Sequence, residues 1–241
     1  MKKLKKVIKI ILIVIIVILV LFESYKIFNY FYKKDIYTKV YSNIDKNYYI
    51  ERKCIELQDE NSSFNSVYIN NEKYMKFIYM NSNSKEKNTF FTRTIYLDKD
   101  KNIAINTFEN MNEFNKDVAY INDSNFVGVE SIFESYNPAY FDYSYSNNLI
   151  EKIKYKLFDI ANSPILIKSE KYNGKDCYKI VENFGFNISA TIRYIEKETF
   201  LPVATIDNLN NQKEEYNCQI REITDEEIDL PNLSNYYVMV N

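Results

Sequence analysis

Residues 165–183, ILIKSEKYNGKDCYKIVEN, decide the fold class of this chain. Two segments rich in β-branched and aromatic residues flank Asn173-Gly174, and Asn-Gly between such segments is the strongest short signal for a β-hairpin. In residues 188–194, ISATIRY, apolar and polar side chains alternate, which predicts a strand with one buried and one solvated face. Residues 202–207 and 214–223 complete an antiparallel meander.

The same strand pattern extends towards the N-terminus. Strands are predicted at residues 48–57, 67–69, 74–80, 89–97 and 103–108. A helix is predicted at residues 149–161, because apolar residues share one face and Asn148 and Glu151 have capping-box spacing. Another helix should lay an apolar stripe on the domain, with residues recurring every four positions: Phe28, Tyr32, Ile36, Val40 and Ile44. Together these elements predict an α+β fold.

The first 32 residues predict a membrane anchor. Five lysines precede an apolar run from Ile10 to Phe22. Lysine collects on the cytoplasmic side of membranes, so the N-terminus should be cytoplasmic and the C-terminal domain extracytoplasmic. The flanks of the run lack the small residues of a signal-peptidase site, which favours an uncleaved signal anchor over a signal peptide. We therefore expect a single-pass protein of the cell membrane: residues 1–34 form the lysine cluster, anchor and juxtamembrane stretch, and residues 35–241 form one extracytoplasmic domain.

Composition excludes several kinds of site. The chain has no histidine, which excludes a His-based triad and a His-ligated metal, and its three glycines cannot build a Walker loop or a dinucleotide fingerprint. Outside residues 1–9, which hold five lysines, 26 basic and 33 acidic residues remain, a net charge of −7. That charge disfavours a nucleic-acid partner. We predict no catalytic residue, metal or cofactor.

Two short motifs resemble known sites but lack the required context. Residues 98–102 with Glu109 place oxygen ligands at the spacing of a calcium loop, but Ile103 occupies the glycine position, so a solvated hairpin turn is preferred. Residues 82–85 match S-x-x-K without the companion motifs of serine acyl-enzymes, which indicates a coincidental polar loop.

The three cysteines, Cys54, Cys177 and Cys218, each fall in a strand-like segment. Small buried apolar residues are the preferred interpretation. A disulfide between Cys177 and Cys218 is the alternative, because the domain is expected on the oxidising side of the membrane.

Hairpin and turn residues of the last third match a recognisable pattern. They are NGKDCYKIV at 173–181, YIEKETFLPV at 194–203 and IDLP at 228–231. This pattern resembles the LolA/LolB-like superfamily of extracytoplasmic lipoprotein carriers and their lipid-binding or sensory relatives, over residues 165–235. Glu196 stands where the superfamily usually has aspartate, and Phe200 where it usually has glycine.

The resemblance implies an antiparallel half-open β-barrel packed on helices around an apolar cavity, without catalytic residues. We therefore expect a non-catalytic binding protein for a lipid or an acylated lipoprotein. A sensor or protein-interaction module of a bacterial envelope complex is the alternative. Strand alternation and the aromatic stretch 133–145 predict these ligand-binding residues: Phe77, Tyr79, Ile95, Tyr178, Ile180, Ile192 and Tyr194 on the cavity face, with Tyr140 and Phe141 near its mouth. For the aromatic stretch as a whole, ordinary core packing is the preferred interpretation, and a place at the cavity mouth is the alternative.

Overall fold

The computed structural model describes residues 2–57, 59–83, 92–109, 117–122, 131–141, 148–162, 165–182 and 191–240. Its helices are α1 (Lys2–Tyr41) and α2 (Leu149–Asn162), with short 3-10 segments at Ile132–Tyr136, Pro138–Phe141, Asp225–Ile228 and Leu233–Asn235. The first six strands are β1 (Tyr48–Glu56), β2 (Asp59–Asn70), β3 (Tyr74–Asn83), β4 (Thr92–Asp98), β5 (Ile103–Glu109) and β6 (Val118–Asn122). The others are β7 (Leu166–Tyr172), β8 (Lys175–Glu182), β9 (Thr191–Glu196), β10 (Pro202–Asp207), β11 (Gln212–Ile220) and β12 (Tyr237–Val240).

The twelve described strands form one open sheet in the order β12-β6-β5-β4-β3-β2-β1-β11-β10-β9-β8-β7. Every neighbouring pair is antiparallel except β12 and β6, which are parallel. The N-terminal apolar helix and the large antiparallel sheet predicted from the sequence are thus confirmed.

The β7–β8 hairpin is the predicted one. Tyr172 pairs with Lys175, and the two residues between them have positive φ, +48° at Asn173 and +81° at Gly174. Two successive left-handed residues are the signature of the tight hairpin turn that Asn-Gly favours. Phe200 also has a positive φ of +55°. Glycine adopts this left-handed conformation more readily than any other residue.

Helix α1 has two halves with different surroundings. From Val7 to Phe22 its apolar side chains are about half exposed, and the helix that contains them, from Lys6 to Tyr41, is long and apolar enough to cross a membrane. Four apolar side chains of the second half are at most 4% exposed: Tyr30, Ile36, Tyr37 and Val40. The helix is continuous between the two halves, so the boundary predicted at residues 34 and 35 falls inside it.

The main core lies between the second half of α1 and one face of the sheet. We call the face that carries Ile50, Ile180 and Ile195 the inner face, and its opposite the outer face. These three residues are fully buried, and they cluster with Ile36 of α1 and Phe133 of the first 3-10 segment. The chain's own helix therefore covers the apolar part of the inner face.

Two smaller clusters lie on the outer face. One contains Cys177, Tyr194, Val203 and Ala204, with Ile192 packed against it. In the other, Ile223 and Ile228, the last residue of the third 3-10 segment, pack against Ile69 of β2.

The cysteines and the calcium-like motif have structural surroundings. The Cys177 side chain lies on the outer face, whereas Cys218 packs on the inner-face core, so the sheet separates these two thiols. Residues 98–102 form the turn between β4 and β5, where the Asp98 carboxylate accepts hydrogen bonds from the Lys101 backbone N–H and Nζ, both at 3.0 Å. Residues 84 and 85 of the S-x-x-K motif lie outside the described residues.

Candidate functional site

A cavity of about 270 Å³ opens beside the main core, between α1, the first two 3-10 segments, α2 and strands β7–β9. It is lined by Tyr30, Lys33, Tyr37, Ser135, Asn137, Phe141, Asp159, Ile165, Glu182 and Arg193. Four of these side chains carry a charge, and five others are aromatic or polar. The cavity is therefore a polar site at the margin of an apolar core.

The carboxylate of Glu182 is the centre of this site. Its Oε1 accepts a hydrogen bond from the Tyr37 hydroxyl and lies 3.0 Å from Lys33 Nζ. Arg193 Nε is 3.6 Å from the same oxygen, an ion pair too long for a hydrogen bond. All three charged side chains are largely buried. We call Lys33, Glu182 and Arg193 the charge cluster.

Secondary structure positions the charge cluster. Tyr178, Ile180 and Glu182 alternate along β8 and point to the inner face, and Arg193 of β9 is the register partner of Ile180. Lys33 and Tyr37 are one helical turn apart on α1, so both reach the last inner-face residue of β8.

Aromatic rings enclose the two cations of the cluster. Arg193 Cζ lies 5.2 Å from the centre of the Tyr136 ring, and Lys33 Nζ lies 5.1 Å from that of Phe141. Arg193 also donates a hydrogen bond to Ser135 Oγ at 3.3 Å. Aromatic faces attract cations, so the rings help to keep both charged groups stable away from bulk water.

The electrostatic balance keeps Glu182 ionised. Burial raises the pKa of its carboxyl, but the charges of Lys33 and Arg193 and the hydrogen bonds from Tyr37 and Lys33 together lower it by more, so the pKa lies below the ordinary value. The charge cluster carries one net positive charge, and Asp159 of α2 lines the same cavity. The site can therefore accept a small polar group that carries a negative charge, or charges of both signs.

The sheet brings together five of the predicted ligand-binding residues on the inner face. Phe77 is on the inner face because it pairs with Tyr68 and Ile95, and Tyr79 shares this face two positions further along β3. Tyr178 and Ile180 are on the same face and pack in the main core. Of the two residues predicted near the cavity mouth, Phe141 lies 5.4 Å from Tyr30, ring to ring, and lines the cavity. The side chain of Tyr140 lies outside the described part of the chain. Ligand binding by these residues stays a prediction.

Ile192 and Tyr194 are on the outer face, which corrects their predicted placement. The register pairs Arg193 with Ile180, so the neighbours of Arg193 point the opposite way. They pack in the outer cluster with Cys177 instead. The predicted alternation in β9 is correct for residues 192–194, but the polar residue Arg193, predicted to be solvated, faces the cavity. Residues 188–190 lie outside the described residues.

The charge cluster itself was missed from the sequence. Its members are 149 and 11 positions apart along the chain, and no local pattern joins Lys33 to Glu182 or Glu182 to Arg193. One signal was present: both Glu182 and Arg193 interrupt segments of high β-propensity. A charged residue in such a segment is paired when it is buried.

Removing the charge of Glu182 should destabilise the protein. Glu182→Gln leaves two largely buried cations without their carboxylate, and breaking a buried ion pair in this way costs about 3 kcal/mol. Denaturant unfolding of the full chain in mild detergent, followed by circular dichroism, measures the loss. Glu198→Gln, at an exposed turn residue, is the matched control and should leave the free energy of unfolding unchanged.

The same variant tests the effect of pH. Because the folded-state pKa of Glu182 is below that in the unfolded chain, its ionised form stabilises the fold above the ordinary carboxyl pKa of about 4.3. That contribution is lost as the pH falls through the lower folded-state pKa. The stability difference between the wild-type chain and Glu182→Gln should therefore shrink below about pH 4. A difference that stays constant down to pH 3 would show that the carboxylate is not stabilised by the cluster.

Comparison with known proteins gives distant structural likenesses. No known protein family matches the chain, and no curated protein matches its sequence. The fold is similar to structures of PNGF-II in space groups P21 and C2, each at 12% identity over 81% of this chain, with TM-scores of 0.31 and 0.33. These alignments cover 32% and 31% of PNGF-II, so the chain spans about a third of that protein's length. It is also similar to a DUF1329 family protein from Desulfovibrio piger ATCC 29098, at 10% identity and a TM-score of 0.28, over 83% of this chain and 97% of that protein. The resemblance to the LolA/LolB-like superfamily stays a prediction.

Proposed function

We propose that the protein is a membrane-anchored, extracytoplasmic, non-catalytic binding protein whose ligand is a lipid or an acylated lipoprotein. The observation that carries the proposal is the charge cluster, which lines a cavity beside the membrane-proximal part of α1. A polar head group would occupy this cavity. The acyl chains would remain outside it.

The position of the cavity along α1 supports a ligand drawn from the membrane. The apolar stretch from Val7 to Phe22 is about 24 Å long, so a hydrocarbon core of roughly 30 Å would extend about two residues beyond each of its ends, to Ser24 on the side of the domain. Tyr30, the first cavity residue, then lies about 9 Å beyond the hydrocarbon, beside the head groups.

The charges of the cavity support an anionic or zwitterionic head group. Lys33 and Arg193 supply donors for a phosphate or carboxylate, and one of their two charges is not balanced by Glu182. Asp159 can pair with an ammonium group of the same ligand. Arginine in particular suits a phosphate, because its planar fork donates two parallel hydrogen bonds.

The size of the cavity limits which part of the ligand it can hold. At about 270 Å³ it is slightly smaller than the usual range for small-molecule sites, which begins at about 300 Å³. The apolar inner face is no alternative site for acyl chains where α1 covers it, since Ile36 and Ile180 are 0% exposed. We therefore assign head-group recognition to the protein and leave the chains in the bilayer.

Lipid retention tests this function. The full chain, extracted from native membranes in mild detergent and delipidated with organic solvent, should release a lipid or acylated species in near-stoichiometric amount by mass spectrometry. Arg193→Met should lose that species, because it removes the guanidinium that would contact the head group. Arg221→Met is the control, since Arg221 pairs with Glu227 outside the cavity. Equal lipid content in all three proteins would indicate only annular lipid around α1 and would reject the proposal.

A sensor or interaction module is the second candidate, and the continuity of α1 favours it. One helix joins the apolar segment to the domain core, with Ile36 and Val40 fully buried. A partner that moved the domain would therefore also move the membrane segment. A stoichiometric protein complex in native membranes, with lipid content unaffected by Arg193→Met, would favour this candidate over the first.

A further inference from the structure

Helix α2 carries an apolar face that is mostly exposed. Leu149, Ile150, Ile153 and Leu157 lie within about 100° of the helix circumference at 3.6 residues per turn. They are 71%, 75%, 51% and 55% exposed, respectively. Ile160, at the C-terminal end of the same face, is only 5% exposed and belongs to the main core. The apolar face therefore begins in the core and extends out of it.

The core end of α2 lies beside the membrane-proximal part of α1. Lys156 Nζ is 5.5 Å from the centre of the Phe31 ring, and Asp159 shares the cavity with Tyr30. On the proposed depth of the anchor, this part of α1 lies at the level of the lipid head groups. The contact places the C-terminal half of α2 at a similar depth.

Apolar surface on α1 continues towards α2. Phe28, which follows the membrane segment, is 62% exposed, and Phe31, at the contact with α2, is 49% exposed. An apolar surface of this kind, on two adjoining helices, is typical of a buried interface in the working protein. Its continuity with the membrane segment indicates that the bilayer covers it.

The charges of α2 suit the surface of a bilayer. Three lysines, Lys152, Lys154 and Lys156, flank the apolar face, against two acidic residues on the helix. Lysines beside an apolar face are typical of helices that lie in the interface, because their long side chains reach the head groups.

We infer that α2 is an interfacial membrane helix that inserts Leu149, Ile150, Ile153 and Leu157 among the lipids beside the anchor. The inference rests on the proposed membrane anchoring of α1. Together, the two helices would fix the orientation of the domain on the membrane and hold the cavity mouth against the head groups.

Fluorescent labels in nanodiscs test this inference. The full chain carrying Ile153→Cys is labelled with an environment-sensitive maleimide and placed in nanodiscs of phosphatidylcholine and phosphatidylglycerol, with or without nitroxide-labelled lipid. Tyr155→Cys is the matched control, since Tyr155 is 52% exposed, as Ile153 is at 51%, but lies on the opposite side of α2. We expect lipid quenching at residue 153 to be severalfold stronger than at residue 155. The unsubstituted chain measures background labelling of the native cysteines.

Three outcomes overturn the inference. Equal water exposure of the labels at residues 153 and 155 would show that α2 does not contact lipid. A label at residue 153 that is shielded from water yet not quenched by lipid would show that a protein, not the bilayer, covers the face. A third variant, Ile15→Cys in α1, tests the membrane anchor independently of α2. If the label at residue 15 is not quenched by lipid, α1 does not cross the membrane, and both the proposed anchoring and the inference about α2 are wrong.

Discussion

A fragment of residues 27–241 is expected to fold, whereas a fragment of residues 42–241 is expected to remain unfolded or to aggregate. The difference between them is the second half of α1. Its four most buried apolar side chains, Tyr30, Ile36, Tyr37 and Val40, belong to the main core. Burying a large apolar side chain contributes about 1.5–3 kcal/mol, so four of them approach the whole stability of a typical domain, about 5–15 kcal/mol.

A fragment of residues 35–241, which starts at the domain boundary predicted from the sequence, should give an intermediate result. It keeps Ile36, Tyr37 and Val40 but loses the Asn29 side chain, whose Nδ2 donates to the Ile165 carbonyl at 2.9 Å. It also loses Lys33, one of the two cations beside Glu182. We expect it to fold with a lower melting temperature than residues 27–241.

Circular dichroism and size-exclusion chromatography of the three fragments, in the same mild detergent, measure these differences. The detergent masks the exposed apolar faces of α1 and α2, so that aggregation reports on the core. If residues 42–241 melt cooperatively at the temperature of residues 27–241, α1 is not part of the core and the packing described for it is wrong.

Local signals made part of the fold predictable. The Asn173-Gly174 hairpin was predicted because the residues that adopt positive φ most readily stand between two strand-like segments. Helix α2 was predicted at 149–161 and observed at Leu149–Asn162, with the Ile150 N–H donating to Asn148 Oδ1 at 2.9 Å. In both cases the stabilising interaction joins residues that are close together in the sequence. A local sequence pattern can therefore predict it.

Long-range pairing made the rest unpredictable. Strand β2 was predicted at residues 67–69 but spans Asp59–Asn70, because its polar first half is held by hydrogen bonds to β1 and β3. The strands β6 and β12 were not predicted, and their parallel pairing joins residues more than 100 positions apart. Alternation alone cannot reveal such partners.

The candidate site was missed for a related reason. The alternation in β9 places Ile192 and Tyr194 on one face of the strand and Arg193 on the other. It does not determine which of the two faces packs against the main core. In this sheet both faces of β9 are partly buried, because the outer face has its own apolar cluster. The usual rule that the polar residues of an alternating strand face solvent is therefore wrong for β9. The largely buried Arg193 was recognised only from its position beside Glu182.

Ile36→Asp is the substitution with the largest expected effect on stability. Ile36 is 0% exposed and lies in the main core, so the variant both removes an apolar side chain and buries a carboxylate. We expect a loss of about 4–5 kcal/mol or more, which is at the upper end of what single substitutions cost. Denaturant unfolding of the full chain in mild detergent, monitored by circular dichroism, measures it.

Two control variants separate the contributions to this loss. Ile36→Val keeps the apolar character and should cost about 0.5–1.5 kcal/mol, the usual range for removing one buried methylene. Thr38→Asp introduces the same charge two residues along α1, on an exposed side chain, and should stay within about 0.5 kcal/mol of the wild-type chain. If Ile36→Asp and Thr38→Asp unfold alike, α1 does not present Ile36 to the sheet, and the fragment beginning at residue 42 should then fold as well as the longer ones.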